Sequence, residues 1–289
     1  MHAQRIVDRW SDRIVLPSCR VGNLEVRLAA SAAEVRAAQA LRYRVFYQEM
    51  RARPDARMRR AWRDADAYDQ RCDHLIVVDH AAGNAAIVGT YRLIDAGAAA
   101  AVGGFYASSE YDLSALLALR EPGGRAPTLL ELGRSCVAPA YRTSGAIMLL
   151  WRGIAAYLEA ARIDYLFGCA SFQGTDPDAI GQELALLHHH HRAAIGVRAR
   201  PELHVPMDRI DRDAIDAGTA WRRLPPLVRG YLQAGASVGE GAFVDHQFAT
   251  IDVFMIVATA SIRDRYRNRF EARRQPETPS SAFTSASAA

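Results

Sequence analysis

The stretch LLELGRSCVAPAYRTSGAIMLLW, residues 129–151, divides into a strand, a turn around Pro139 and the opening of an apolar helix. Two charges, Glu131 and Arg134, stand inside the strand, and Arg142, Ser144 and Gly145 occupy the turn. A strand that only filled a core would have no use for two charges, because burying an ionised group is costly unless it is compensated. In an ideal strand, residues three apart point to opposite faces. Glu131 and Arg134 therefore converge only if the strand carries a bulge, and Gly133 between them is where one is expected. A bulge frees a backbone N–H, the kind of donor that stabilises an oxyanion when an amine attacks a thioester carbonyl. Taken alone, the segment is also open to an ion pair at the end of a strand. In the turn, Gly145 lets backbone approach a ligand at a helix N-terminus, where exposed N–H groups, the helix dipole and Arg142 favour a phosphate.

The helix that opens at 146 extends to about 162, and IDYLFGCASF (163–172) completes a β-α-β unit that favours a parallel strand pair. Upstream, HLIVVDH (74–80), AAGN (81–84) and AAIVGTYRLID (85–95) read as strand, turn and strand. SAAEVRAAQALRYRVFYQEM (31–50) has helical periodicity and an N-cap candidate at Ser31, and a charged, loop-like stretch follows to about residue 73. GGFYASSEYDLSALLAL (103–119) is an irregular lead into a short helix starting near Asp112 or Ser114. TDPDAIGQELALLHHHH (175–191) is a helix capped at Thr175 or Asp176 with Pro177 in its first turn. Residues 195–250 have loop and short-helix character before the strand TIDVFMIVA (250–258). One mixed α/β domain over 1–270 with a disordered tail at 271–289 is the expected organisation.

Half of the 289 residues are hydrophobic and 24% are charged, enough for a sizeable core. There is no lysine: all 36 basic residues are arginine, which excludes Schiff-base chemistry on a protein lysine and any phosphate loop that needs one. The net charge of +4 permits an acidic partner, and much of it lies in RARPDARMRRAWR (51–63) and RDRYRNRFEARR (263–274). Cys19, Cys72, Cys136 and Cys169 show no C-x-x-C spacing, so neither a zinc site nor a disulfide framework is expected, and a reducing compartment is. From the composition of the N-terminal residues and the longest apolar runs, neither a secretory leader nor a bilayer-spanning segment is expected, although basic amphipathic helices can lie on anionic lipid. RDADAYDQRCDH (63–74) crowds Asp64, Asp66, Asp69 and Asp73 without the glycine and terminal glutamate of a calcium loop. Recognition of an organic cation and an exposed acidic turn both remain open there. HHHH (188–191) reads as a cationic helix C-terminus rather than a metal site.

LRYRVF (41–46), D-x-D-x-x-D (64–69), DHL (73–75), GTYRL (89–93), ELGRSCV (131–137), LFGCASFQGTDP (166–177) and the segment 224–254, in this order, resemble the L-ornithine N-alpha-acyltransferases of bacterial ornithine-lipid synthesis. The resemblance spans roughly residues 25–266. A more distant likeness is to the acyl-homoserine-lactone synthases. Both groups share the GNAT-like fold, a twisted mixed sheet splayed between its fourth and fifth strands. The resemblance implies transfer of a 3-hydroxyacyl chain from acyl carrier protein to the α-amino group of L-ornithine, giving lyso-ornithine lipid. It implies no tightly bound cofactor, the donor thioester being carried on the 4′-phosphopantetheine of acyl carrier protein. Its partners are then acyl carrier protein and L-ornithine, with no nucleic acid, in the cytoplasm or peripheral to the inner face of the cytoplasmic membrane.

By analogy with the lactone synthases, Arg42, Phe46, Asp66, Asp69, Arg92, Glu131 and Arg134 fall on the matching motif positions. Arg42 and Phe46, one helical turn apart, are expected to share a face. Glu131 first and Asp69 second are the candidate bases, and Arg92 or Arg134 the clamp on the substrate carboxylate. Asp66 or Asp69 would hold the side-chain ammonium, with His74 as a further contact or a structural histidine. Arg142 and Gly145 match the R-x-x-G of the GNAT anion turn, and Ile147 replaces the small residue of the fuller pattern, which fits a single pantetheine phosphate. Ser171 stands where many GNAT enzymes keep a tyrosine acid. Arg57, Arg59 and Arg60 are candidates for docking the acidic carrier protein, and Trp62 for touching a membrane surface. The competing readings are a lactone-type signal synthase, a haemolysin-like protein and a catalytically silent carrier-binding protein.

Overall fold

A computed structural model describes residues 14, 16–83, 85–142 and 145–262. Ser144, the arginine-rich run at 263–274 and the tail expected to be disordered lie outside the described residues. Strands β1 (Cys19–Val21), β2 (Leu24–Leu28), β3 (Asp73–Asp79), β4 (Ala86–Asp95), β5 (Tyr111–Asp112), β6 (Leu129–Val137), β7 (Tyr165–Gln173), β8 (Arg198–Ala199), β9 (Ser237–Asp245) and β10 (Thr250–Ala258) form one sheet. Their spatial order is β1-β2-β3-β4-β6-β7-β10-β9-β8-β5. The helices are α1 (Ala32–Tyr43), α2 (Ala56–Ala61), α3 (Ala96–Ala100), α4 (Ser114–Leu117), α5 (Ala146–Ala160), α6 (Gly181–His191), α7 (Ala217–Arg223) and α8 (Pro226–Ala234).

Without the short β1, β5 and β8, the order in the sheet is first to fourth, fifth, seventh, sixth, and the fourth and fifth strands are β6 and β7. These two run parallel, as the β-α-β reading requires, but pair only from Leu129↔Tyr165 to Glu131↔Phe167. Both strands continue well beyond that point, so the sheet opens from Glu131 onward. On its far side β7 stays paired to β10 over its whole length, from Tyr165↔Ala258 to Gln173↔Thr250. The opening is therefore a parting between two paired half-sheets.

Gly168 sits at the fork. A Cβ there would meet the carbonyl oxygen of Leu132 on the neighbouring strand. Gly168→Ala is accordingly expected to lower stability by about 2–3 kcal/mol through backbone overpacking and to widen the fork; urea denaturation and acylation rate are the readouts. A variant as stable as the wild type would show that the strands can part further at no cost.

α5 closes one face of the first half-sheet. Ala146, Leu149, Leu150, Gly153, Ile154, Tyr157 and Leu158 are its buried residues, one continuous stripe at three- and four-residue spacing. Gly153 lets the helix approach the sheet, since a Cβ there would lie 2.8 Å from Leu75 and Val26 side-chain carbons. The Tyr157 hydroxyl donates to Asp73 at 2.9 Å and fixes the rotation of the helix.

α1 starts as its sequence predicts, with the Ser31 side chain accepting from the Glu34 N–H. It does not run regularly to Met50: after Tyr43 it widens into a π-type segment, Arg44–Glu49. Such widenings are local and commonly occur beside functional sites. The stretch expected to be a charged loop contains α2, capped by the Asp55 side chain on the Met58 N–H, and a 3₁₀ turn over Ala67–Gln70. α2 turns Met58 inward and leaves Arg57, Arg59 and Arg60 exposed.

Candidate active site

The bulge predicted at Gly133 is present one residue further on. Gly133 pairs with Arg92 and Cys136 with Thr90, so Tyr91 of β4 faces both Arg134 and Ser135 of β6. Arg134 takes the strain, with φ of 52°, in the left-handed region that costs a non-glycine residue about 1 kcal/mol. The extra residue turns Glu131 and Arg134 into the same cavity, which occupies the fork and has a volume of about 770 Å³. Phe46, Arg92 and Arg142 also line it, together with Ser171 and Asp252 from the opposite half-sheet.

Glu131 is 4% exposed at the root of the fork. Its carboxylate accepts from the N–H groups of Tyr106 and Ala107, both at 2.7 Å. Burial raises its pKa to about 7, although those two N–H groups and the nearby Arg92 and Arg134 pull it down. A carboxylate with that pKa is half ionised at neutral pH and can accept and return a proton there.

The guanidinium of Arg134 is sandwiched between Tyr106 and Phe248, 4.9 and 4.7 Å from the ring centroids. Its hydrogen bond to the Tyr106 hydroxyl is 3.3 Å, and its Nε lies 3.4 Å from Asp64 with no hydrogen-bond partner among the described residues. Of the candidate clamps it is the more weakly held, with one long side-chain hydrogen bond. Arg92 is committed: its Nη1 holds both carboxylate oxygens of Asp66 at 2.7 Å.

Two of the lining arginines, Arg92 and Arg134, join Arg42 and three aspartates, Asp64, Asp66 and Asp69, in a network that reaches behind the cavity wall. Arg42, fully buried, donates from Nε to Asp64 at 2.7 Å and from Nη2 to both oxygens of Asp69 at 2.8 and 3.0 Å, as well as to the Asp64 carbonyl. Tyr47 donates to Asp64 at 3.0 Å. Asp69 accepts from the Asp66 N–H, and the Asp66 side chain in turn caps the 3₁₀ turn. These carboxylates do not form an exposed acidic turn. Burial works to raise the Asp69 pKa, but Arg42 and Arg92 hold it below the usual carboxylate range. A proton on Asp69 is thus disfavoured. His74 is fully buried, donates from Nε2 to the Asp69 carbonyl at 2.9 Å, and is kept neutral by burial, with its pKa pushed down to about 4.

The cavity therefore brings together Glu131, Arg134, Arg92, Phe46 and Arg142, while Arg42, Asp66, Asp69 and His74 do not line it. Phe46 reaches the cavity from the π-type segment and meets Phe248 edge-on at 5.7 Å, whereas Arg42, in the regular part of the helix, does not. Arg142 lines the mouth but is held by Glu49 at 2.5 and 2.8 Å, with its Nε on the Val137 carbonyl. Gly145 is the residue before α5. Cys136 and Cys169 also face the cavity, with burial raising both thiol pKa values, so neither is an ionised nucleophile.

The sequence reading passed over Tyr106, Phe248, Glu49, Glu110 and Asp252. Asp252 carried the same signal that singled out Glu131: one carboxylate in an otherwise apolar strand. Burial and like-charged neighbours raise Glu110 to about 8, and burial raises Asp252 to about 6. Groups with raised folded-state pKa values contribute stability at low pH that is lost as pH rises through them. His74, depressed, acts the other way and takes stability away as pH falls below about 6.5. The thermal midpoint is thus expected to climb as pH is lowered from about 8.5 to about 6.5; a flat or opposite trend by calorimetry would contradict this placement of the carboxylates.

An acetyltransferase (GNAT) domain model matches residues 41–152. An L-ornithine N(alpha)-acyltransferase from Rhizobium meliloti (strain 1021) is 46% identical over 258 residues, covering 88% of this chain and 86% of the relative. The enzyme of the same name from Brucella abortus (strain 2308) is 46% identical over 260 residues, covering 88% and 90%. The solved structure of FeeM, an N-acyl amino acid synthase from uncultured soil microbes, aligns over 84% of this chain and 94% of its own, at 13% identity and a TM-score of 0.44. Among the described residues no helix is long and apolar enough to cross a membrane. With a forked sheet, a bulged strand and a buried carboxylate at the fork, and with this identity across nearly its whole length, the chain belongs to the L-ornithine N(alpha)-acyltransferase family.

Proposed function

We propose that this acyltransferase moves a 3-hydroxyacyl chain from the 4′-phosphopantetheine thioester of acyl carrier protein to the α-amino group of L-ornithine, giving lyso-ornithine lipid. The relatives' names supply the acceptor. The observation that carries the chemistry is Glu131, tuned to about 7 and facing the same cavity as Arg134. The acceptor carboxylate lies on Arg134, whose planar fork suits it. Glu131 removes a proton from the α-ammonium, directly or through one water. The freed amine attacks the thioester carbonyl, and the tetrahedral intermediate expels the pantetheine thiolate, which takes up a proton. The pantetheine arm enters past Arg142 and Gly145 at the start of α5, its phosphate taking Arg142 from Glu49.

Arg57, Arg59 and Arg60 give the acidic carrier protein a basic face on which to dock, and exposed Trp62 beside them meets the membrane that receives the product. Reversing the three charges to Glu is expected to raise KM for the carrier-bound donor by roughly 10-fold or more, with a weaker salt dependence of the rate. An unchanged KM would place the docking face elsewhere. The reading as a whole is tested by incubating the protein with 3-hydroxypalmitoyl-acyl carrier protein and a panel of amines, following thiol release and product mass. Ornithine-dependent release with one amide-linked hydroxyacyl chain is the expected result. Release only with S-adenosylmethionine, or with no amine at all, would overturn it.

A further inference from the structure

The aspartates that the sequence offered for the acceptor's side-chain ammonium are engaged elsewhere, Asp66 by Arg92 and Asp69 by Arg42. The cavity nonetheless has an acidic wall, on the half-sheet opposite Arg134. Alternate residues of two paired strands face it: Cys169, Ser171 and Gln173 from β7, and Thr250 and Asp252 from β10. Asp252 and Ser171 stand directly opposite each other in that pairing. Asp252 is the one charge in this strip of small polar groups, and Asp245 lines the cavity from the end of β9. Glu110 lies behind, where it accepts a hydrogen bond of 3.2 Å from the Cys169 thiol.

Two features indicate that this wall awaits a cation. Asp252 is 9% exposed, with the Ser171 and Thr250 hydroxyls beside it lowering its pKa, yet its Oδ1 is buried with no hydrogen-bond partner of good geometry among the described residues, in a cavity wide enough for a ligand. A buried acceptor oxygen left this way is costly, and a bound donor relieves the cost. The wall also has more negative charge than it can comfortably hold. Burial first, and then Asp252, Asp245 and Glu131, raise the pKa of Glu110, and among the described residues no protein cation is hydrogen-bonded to Asp252 or Glu110. No group of three His, Cys, Asp or Glu among the described residues is placed to hold a metal ion. The cation that fits is therefore an organic ammonium. Arg134 and Asp252 line the same cavity from opposite half-sheets, so a zwitterion with a second positive charge can lay its carboxylate on one wall and its ammonium on the other.

We propose that Asp252, supported by Asp245 and Glu110, binds the side-chain ammonium of the acceptor and makes the enzyme selective for a diamino acid. This rests on the amino-acid acylation proposed above, and adds to it the residue that reads the side chain. With the δ-ammonium tied to Asp252, only the α-amine is free to reach Glu131, so the same contact decides which nitrogen is acylated.

The test compares L-ornithine with L-norvaline, which has the same carbon chain and no δ-nitrogen, in the wild type and in Asp252→Asn. The wild type is expected to favour ornithine by roughly 100-fold or more in kcat/KM, and the variant to reduce that preference by roughly 10-fold or more. An unchanged ratio, whether both rates fall together or neither does, would overturn the proposal and return Asp252 to a structural or α-amine role. Asp252→Glu provides a second variant that keeps the charge and advances it by one methylene. It is expected to shift preference toward L-2,4-diaminobutyrate, one methylene shorter than ornithine, and an acceptor profile unchanged from the wild type counts against the proposal even if Asp252→Asn does not fold. Calorimetric titration of ornithine into the donor-free wild type separates this proposal from the function it rests on. Tighter binding of ornithine than norvaline without any acylation would leave the site standing and sink the reaction. Acylation of ornithine and norvaline at equal efficiency would do the reverse.

Discussion

Glu131→Gln is expected to lower kcat by roughly 10²–10⁴-fold, the usual worth of a positioned general base. Two effects act together. The amide cannot take the proton of the α-ammonium, and its NH₂ must face one of the two backbone N–H groups, of Tyr106 and Ala107, that now donate to the carboxylate. The second effect will also cost stability, about 1–3 kcal/mol for the donor left unsatisfied, so the melting temperature must be measured alongside the rate. The pH profile separates the two. With its pKa at about 7, Glu131 is ionised and active above that value, so wild-type kcat/KM is expected to rise with pH and level off above about 7. In Glu131→Gln that inflection should disappear. A variant that keeps more than about a tenth of the wild-type kcat, with the inflection intact, would remove Glu131 from the role of base.

Arg42→Met should produce the largest loss of stability, about 3–5 kcal/mol. The methionine fills much of the volume but leaves Asp64 and Asp69, both nearly fully buried, without their main counter-ion. Isolated buried carboxylates are far more costly than the pair they came from is favourable. The damage will not stay behind the wall. Arg134 already lies 3.4 Å from Asp64, and Arg92 3.8 Å from Asp69, so both arginines will be drawn toward the orphaned charges and away from the cavity. Activity is thus expected to fall further than the folded fraction does. Arg125→Ala is the contrast: it breaks an exposed pair with Asp164 and should cost under about 1 kcal/mol. Equal losses for the two variants in urea denaturation would mean that burial of the Arg42 network contributes nothing special.

Local chemistry in the chain made much of the sheet legible. The β3–β4 hairpin, the stripe of α5 and the parallel β6–β7 pair follow from periodicity and turn residues a few positions apart. The bulge was legible as a condition, since Glu131 and Arg134 could share a site only if the strand carried one. Its position was not, because glycine at 133 marks where strain would be easiest, whereas the register with β4 decides where the extra residue falls. The site was half legible. Motif resemblance named Arg42, Asp66, Asp69 and Arg92 together but gave no sign that they satisfy one another. That is set by contacts 22 to 27 residues apart in sequence. Glu49 reaches Arg142 across 93 positions, which no local pattern records. α2 was missed because a six-residue helix is too short to show periodicity against its arginines, although its Asp55 cap was there to be read.

The left-handed backbone of Arg134 limits how this enzyme can evolve. Valine, isoleucine and threonine are barred from the position by sterics before any question of chemistry arises. Glycine would relax the backbone but remove the guanidinium and its stacking on Tyr106 and Phe248. Selection for stability and selection for activity therefore pull this residue in opposite directions. A lineage that no longer used the guanidinium here, where we propose that it binds the acceptor carboxylate, would be free to drift toward glycine or asparagine, relieving the backbone but losing that stacking and the charge beside Asp64. On that proposal, the residue at position 134 records whether the site is still in use.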